Sequence, residues 1–150
     1  MPNSVDTNLF QHKDCENAEI ERIEQMMKGG RFILHVGRKT EEKNADTVIQ
    51  ALNYLDREVK CIFIGEGDVE KYLGLAEKAG VKDRCCFLKS IQNRDLPYWY
   101  SWCDCMCVPS RGEGFGIVFI EAAACGSVIV TSDIAPMNEF LTNGVNAIFV

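Results

Sequence analysis

The chain has 150 residues, 47% of them apolar and 25% charged, the balance of an ordinary soluble globule and enough for one domain burying about two-thirds of its unfolded surface. A formal net charge of −6 argues against nucleic acid or an anionic membrane surface as the main partner, while phosphate binding, which depends on local groups, stays open. No apolar run approaches the roughly 18 residues of a membrane helix, and the first residues do not read as a signal peptide.

The sequence contains eight cysteines, a number that would suggest a disulfide scaffold in a short secreted chain, but their spacing points elsewhere. Cys103, Cys105 and Cys107 alternate, as Cys61 does with Phe63, which predicts one face of a strand for each set. Cys85 and Cys86 are adjacent in another strand, and Cys125 ends an Ala-rich helix. No Cys-x2-Cys pair is present, and only His12 and His35 could add imidazole ligands, so no structural zinc is expected. Small buried thiols in a reducing cytosol account for the pattern.

In chain order, Met1–Phe10 lacks a periodic apolar pattern. A helix is predicted next, with Ile20, Ile23, Met26 and Met27 on one face and Gly29-Gly30 stopping it. Phe32–Val36 reads as a buried strand ending at Gly37, followed by Arg38 and a polar loop, Lys39–Lys43. Within that loop Lys39, Glu41 and Glu42 read as solvated charges. Asn44 is placed as the N-cap of a helix whose apolar face is Val48, Leu52 and Leu55. Val59–Ile64 is a second buried strand. Gly65-Glu66-Gly67 after it lacks the third glycine of a dinucleotide fingerprint and is read as a connecting turn. A helix follows with Tyr72, Leu73, Ala76 and Ala79 inward and Gly80 as its cap. Cys85–Leu88 is a third strand. Asn93 or Asp95 then caps a helix carrying Pro97, Tyr98, Tyr100 and Trp102, aromatics that read as packing. After Asp133, Pro136 and Glu139 open another helix, Asn143-Gly144 makes a turn, and Ala147–Val150 starts a strand.

The most informative stretch is Pro109–Gly116, between the apolar run Cys103–Val108 and Ile117–Cys125, with Val128–Thr131 beyond. It predicts strand, glycine loop, helix, strand, with the loop at the carboxyl end of its first strand, where open α/β sheets hold ligands. Gly112, Gly114 and Gly116 allow close backbone approach, and the helix start offers unpaired N–H groups and a positive dipole end suited to phosphate. Glu113 lies in the loop. Glu121 is the sole charged residue between Ile117 and Val130, in a setting where an ionised carboxylate needs a partner. Helical side chains lean toward the N-terminus, so Glu121 can reach back toward the loop mouth.

Glu113-Gly114-Phe115-Gly116-x4-Glu121, then Ala122-x-Ala124-x-Gly126 and Ser132-Asp133, resembles the Glu-x7-Glu signature of retaining glycosyltransferases of family 4. The resemblance extends to Gly37-Arg38-x4-Lys43, with Asn44 where the family has glycine, a mild change because Asn tolerates left-handed geometry. Pro2-Asn3-Ser4-Val5-Asp6-x3-Phe10 is similar to the segment by which the family enters its second domain, with Ser4 replacing glycine. The resemblance implies the C-terminal half of a GT-B fold, a three-layer Rossmann-like α/β domain with a mostly parallel, doubly wound sheet. It implies residues 1–12 as an interdomain linker and 13–150 as a nucleotide-sugar-binding domain truncated at both ends, with an acceptor domain upstream and further helices downstream.

By the same resemblance Glu113 contacts the donor sugar, Glu121 the ribose hydroxyls, and Arg38 and Lys43 the diphosphate. Gly37, Gly114, Phe115, Gly116 and Ile117 bind the donor, the last four through loop and helix-start backbone, and Ile91 meets the nucleobase. The implied reaction moves a hexose of mannose or glucose type from a nucleoside diphosphate sugar to a lipid or saccharide acceptor. Arg38, Lys43 and the amides of Phe115, Gly116 and Ile117 would stabilise the departing diphosphate without a metal or other cofactor. The expected partners are the nucleotide sugar and the acceptor domain, with no nucleic acid. The expected location is cytoplasmic, or peripheral at the inner membrane face through the missing domain. Two other classes stay open: a non-catalytic nucleotide-binding or regulatory module, and a nicotinamide-dependent oxidoreductase, which would need the glycine fingerprint that Gly37-Arg38-Lys39 does not supply.

Overall fold

The computed structural model describes residues 4–14 and 18–150. Pro2 and Asn3 of the segment likened to a domain entry, and Cys15, lie outside the described residues. Six strands alternate with helices: β1 (Phe32–Val36), β2 (Lys60–Ile64), β3 (Cys85–Leu88), β4 (Cys105–Val108), β5 (Ile129–Thr131) and β6 (Ile148–Phe149). The helices are α1 (Ala18–Met27), α2 (Ala45–Ala51), α3 (Val69–Lys78), α4 (Leu96–Trp102), α5 (Ile117–Ala124) and α6 (Met137–Phe140). Every neighbouring strand pair is parallel and the order is β3-β2-β1-β4-β5-β6, the doubly wound arrangement expected.

A parallel sheet must be covered on both faces, and two clusters do this. Leu34, Ile62 and Met106 point to one face, where they meet Ile23 of α1, Trp99 and Tyr100 of α4, and Phe119 and Ala122 of α5. Cys61 and Phe63 point to the other, beneath Val48 and Ile49 of α2 and Tyr72 and Ala76 of α3. The aromatics of α4 are packing groups, as read, and Trp99, fully buried, is the central one. Trp102 is 38% exposed and donates its indole N–H to the Lys13 carbonyl at 3.0 Å.

Local chemistry sets the helix ends. The α1 helix stops where Lys28 and Gly29 turn left-handed, at φ 53° and 77°. The α3 helix starts at Asp68, whose carboxylate accepts from the Lys71 amide at 3.0 Å and supplies one of the acceptors a helix start lacks. The helix after Asn44 departs from expectation. It ends at Ala51 and tightens into a 3-10 turn at Leu52–Tyr54, which leaves Leu55 40% exposed rather than on the apolar face. Arg84 explains the tightening: its guanidinium reaches across to the carbonyls of Leu52 (2.7 Å), Asp56 (2.8 Å) and Val59 (2.9 Å), which helix geometry would otherwise have used or left bare.

The cysteines behave as small hydrophobes. All described ones are free, and Cys61 pairs in register with Cys85 on the β2–β3 ladder. Cys103 corrects the one-face reading of the 103–107 run. It caps α4 ahead of β4, its thiol donates to the Tyr100 carbonyl at 3.3 Å, and it packs on the opposite core from Cys107. Burial pushes the Cys85, Cys103 and Cys107 thiols up to about 12, so they stay protonated.

Gly65-Glu66-Gly67 is a connecting turn, and its glycines answer to contact. A Cβ on Gly65, at φ 143°, would lie 2.0 Å from the Gly37 carbonyl oxygen, and one on Gly67 would lie 2.6 Å from Lys39. The loops leaving β1 and β2 are thus pressed backbone to backbone. Gly65→Ala should destabilise the domain by about 2–4 kcal/mol in urea unfolding, the range for overpacking with backbone strain. Gly74→Ala, where an added Cβ meets nothing within 4 Å inside α3, should instead stabilise by about 0.5–1 kcal/mol.

Candidate functional site

The strand order reverses direction between β1 and β4, so the loops that follow these two strands diverge from a single crevice at the carboxyl edge of the sheet. Residues 37–44 form one wall and residues 109–116 the other. Four polar contacts bridge them: the Asn44 side-chain amide donates to the Pro109 carbonyl at 2.9 Å, the Arg111 amide to the Glu42 carbonyl at 2.7 Å, the Arg111 guanidinium to the Glu41 carbonyl at 3.4 Å, and the Lys43 ammonium meets Glu113 at 2.5 Å. Asn44 adopts the left-handed conformation its type allows, at φ 57°, but its side chain makes no cap hydrogen bond. It serves the loop contact instead, and Thr47 donates to its oxygen at 2.7 Å.

The crevice, about 340 Å³, is lined by Val36, Gly37, Lys43 and Glu113 with the start of α5, Phe115–Val118. Gly116 sits at the N-cap of α5 with φ 74°, and a Cβ there would lie 2.4 Å from the Met137 methyl, so both conformation and space demand glycine. The first amides of α5 have no intrahelical acceptor and face the crevice mouth with the positive end of the helix dipole. Glu113 is nearly buried, its side chain 5% exposed, and it takes a second hydrogen bond from the Ser110 hydroxyl at 2.8 Å. Arg38 is exposed beside Gly37, and no acceptor for its guanidinium is seen among the described residues.

The structure therefore brings Gly37, Lys43, Glu113, Phe115, Gly116 and Ile117 into one crevice, while Arg38, the exposed neighbour of Gly37, is not among the lining residues. Gly114 lies exposed on the loop crest. Glu121 and Ile91 are not among the lining residues. Glu121 lies one turn into α5, half-buried, where the Tyr100 hydroxyl donates to its Oε2 at 2.9 Å and burial holds its carboxyl above the usual range. Ile91 follows β3 at the far edge of the sheet and packs against the larger core. Among the described residues, no group of three or more His, Cys, Asp or Glu side chains is arranged to hold a metal ion.

Two side chains contradict or escape the sequence reading. Lys39 is not a solvated loop charge: it is 4% exposed, and its ammonium donates to the carbonyls of Gly65 and Leu88, the latter at 3.0 Å. Glu41 and Glu42 are exposed, as expected. His35, fully buried on β1, bonds through Nε2 to the Lys43 carbonyl at 3.1 Å. A carbonyl can only accept, so Nε2 carries the proton, and Nδ1 has no partner. The one sequence signal for it was a lone imidazole in an otherwise apolar strand.

His35 also carries a pH signature. Burial lowers it from 6.5 to about 4. The unfolded chain therefore takes up a proton near 6.5 that the folded chain refuses until about 4, and stability from this group is lost as pH falls through that window. The loss should approach about 3 kcal/mol, from about 1.4 kcal/mol per pH unit. His35→Gln keeps a donor for the Lys43 carbonyl but cannot titrate, and urea melts between pH 7 and 4 should show a correspondingly shallower decline.

Comparison with known proteins adds independent findings. The family model described as glycosyl transferases group 1 matches residues 16–150. The chain is similar to D-inositol 3-phosphate glycosyltransferase of Xylanimonas cellulosilytica, 33% identical over 124 residues that cover 79% of this chain and 30% of the relative. It is also similar to phosphatidyl-myo-inositol mannosyltransferase of Mycobacterium tuberculosis, 28% identical over 149 residues covering 96% and 37%. Among solved structures, Anabaena HepE in complex with UDP and glucose superposes with a TM-score of 0.86 at 23% identity, covering 99% of this chain and 41% of that one, which shows the shared fold. The chain thus spans about a third of the length of the curated relatives it matches.

Proposed function

The chain belongs to the glycosyl transferases group 1 family, and on that premise we propose that the crevice between the β1 and β4 loops binds the nucleoside diphosphate sugar of a retaining, family 4 hexosyltransferase. In this reading residues 13–150 are the donor-binding half of a GT-B enzyme and residues 1–12 the link to an acceptor-binding domain. The enzyme works in the cytoplasm or at the inner face of a membrane, and moves a hexose of mannose or glucose type to a lipid or saccharide. A mannosyltransferase relative and a UDP-and-glucose complex of a like fold support the donor class. The observation that carries the proposal is convergence: Lys43 from one loop, a nearly buried carboxylate from the other and the amide end of α5 line one crevice at the sheet's switch point.

The chemistry follows from that arrangement. Negative charge grows on the diphosphate as the glycosidic bond breaks. Arg38, Lys43 and the amides of Phe115, Gly116 and Ile117 would meet that charge already in place, so little reorganisation is needed during the step. Glu113 keeps Lys43 aimed into the crevice and presents its carboxylate to the hexose hydroxyls. Glu121, with one oxygen taken by Tyr100, offers the other to the ribose diol.

Positive side chains and amides carry the field in this reading, so diphosphate binding should survive EDTA. Arg38→Ala should weaken UDP or GDP by about 1.5–3 kcal/mol, the range for hydrogen bonds to charged groups. Calorimetric titration checks both; binding abolished by chelation and indifferent to Arg38 would place the phosphate elsewhere.

The carboxylates separate in a two-by-two titration. Glu121→Gln should weaken nucleoside diphosphate and nucleotide sugar alike, by about 1–3 kcal/mol, because both carry ribose. Glu113→Gln, whose amide oxygen still accepts from Lys43, should weaken chiefly the sugar-bearing ligand. Glu121 has a second signature. Its raised pKa means that ionisation is disfavoured in the fold and that this penalty persists at pH above it. The Glu121→Gln domain should therefore melt at the same temperature or higher at pH 7 while binding less well. A clear drop in Tm would mean that the carboxylate serves structure.

A further inference from the structure

We propose that Lys39 is a positioning residue that ties the loop for the donor diphosphate to the loop for the nucleobase and thereby sharpens base discrimination. This rests on the nucleotide-binding reading above and deepens it.

A lysine is seldom 4% exposed without an anionic partner. Here the acceptors are two backbone carbonyls, Gly65 after β2 and Leu88 at the end of β3. The backbone of the same residue is engaged too: its amide donates to the Glu66 carbonyl at 2.6 Å, and it forms a parallel bridge with Gly67. Lys39 thus touches the carboxyl ends of β1, β2 and β3 at once. The Leu88 carbonyl accepts a second bond, from the Gly65 amide at 3.0 Å, so the ammonium closes a ring of contacts between these two ends.

The placement connects two parts of the ligand. Arg38 precedes Lys39 directly, and Lys43 lies four residues on, in the same loop. On the other side Leu88 leads through Lys89 and Ser90 to Ile91, the residue that the family resemblance implies for the nucleobase. On the nucleotide-binding reading the diphosphate and base rest on separate loops, one after β1 and one after β3, and the spacing of those loops is set through β2 and the Lys39 side chain. Burying this ammonium costs desolvation that an apolar side chain would avoid, and the nearby Glu66 carboxylate offsets only part of it. A fixed distance between the two half-sites is what the cation supplies in return. A base that fits at that distance is favoured, and one that needs a different spacing is not.

The test is calorimetric titration of wild type and Lys39→Met with UDP, GDP, ADP and inorganic pyrophosphate. The expected result is pyrophosphate affinity held within about twofold while the preferred nucleotide weakens about tenfold, as expected of residues that modulate coupling between sites. The ratio between preferred and least favoured nucleotide should fall about threefold or more. Amide hydrogen exchange over Leu88–Ile91 should quicken in the unliganded variant. Lys39→Gln, which keeps an N–H donor of shorter reach, should fall between the two. Equal weakening of pyrophosphate and nucleotides, an unchanged nucleotide ratio, a wild type that binds all three bases equally, or failure of both variants to fold would each overturn the assignment. A wild type that binds none of the nucleotides would overturn the nucleotide reading itself and Lys39's role with it, a result distinct from normal wild-type binding with an indifferent Lys39→Met.

Discussion

The ion pair between Lys43 and Glu113 joins the two halves of the sheet at the point where their helices part company. Lys43 belongs to the loop leaving β1 and Glu113 to the loop leaving β4, and 70 residues separate them in sequence. Neither side chain is well solvated, at 16% and 5% exposure, so each would be costly without the other. Around this pair the loops add neutral hydrogen bonds from Asn44 and Arg111, and His35 fixes the Lys43 carbonyl from beneath. The crevice is therefore a seam, and its shape is set by contacts that no single βα unit contains.

The acidity of the chain does not oppose phosphate binding, because the groups that would meet a phosphate are local. Net charge acts over a Debye length, while a bound diphosphate would feel Arg38, Lys43 and the amides of α5 at hydrogen-bond distance. Glu113 offsets much of the Lys43 charge at 2.5 Å, so the Arg38 guanidinium and the amides of α5 supply the part of the field that is not paired. Glu121 is the counterpart on α5. Its position in an apolar helix is unfavourable for the fold alone: burial raises its pKa, and the Tyr100 hydroxyl bond offsets part of that.

Much of the architecture was legible in the sequence. Strands β1 and β3 coincide with the apolar runs Phe32–Val36 and Cys85–Leu88, and the glycine loop before α5 falls where Pro109–Gly116 placed it. These features follow from local rules, period and turn chemistry, that a sequence displays directly. What escaped depends on partners distant in sequence. Leu55 looked like part of an apolar stripe until Arg84 claimed the carbonyls at the end of its helix. Lys39 looked like a surface charge because its acceptors, Gly65 and Leu88, are backbone atoms and carry no residue-type signal. His35 escaped for the same reason, its partner being the Lys43 carbonyl. The family resemblance named Arg38, Lys43, Glu113 and Glu121, of which Lys43 and Glu113 line the crevice, yet said nothing of Ser110 and Tyr100, which hold the two carboxylates in place.

The central position of β1 has a consequence for how the chain reaches this state. Its partner on one side, β2, arrives within the next helical unit, but its partner on the other side, β4, is far off: the Phe32 amide is held by the Asp104 carboxylate, 72 residues away. Closing so long a loop is entropically expensive and slow relative to the pairing of β1, β2 and β3. During synthesis the N-terminal half-sheet is complete while Met106 and Val108 have yet to cover its inner edge. Throughout that interval the seam does not exist, so nothing can dock in it. Cys61 is already covered by α2 and α3 at that stage, whereas Cys86 packs on the core that Trp99, Met106 and Phe119 complete and so waits for the second half of the chain.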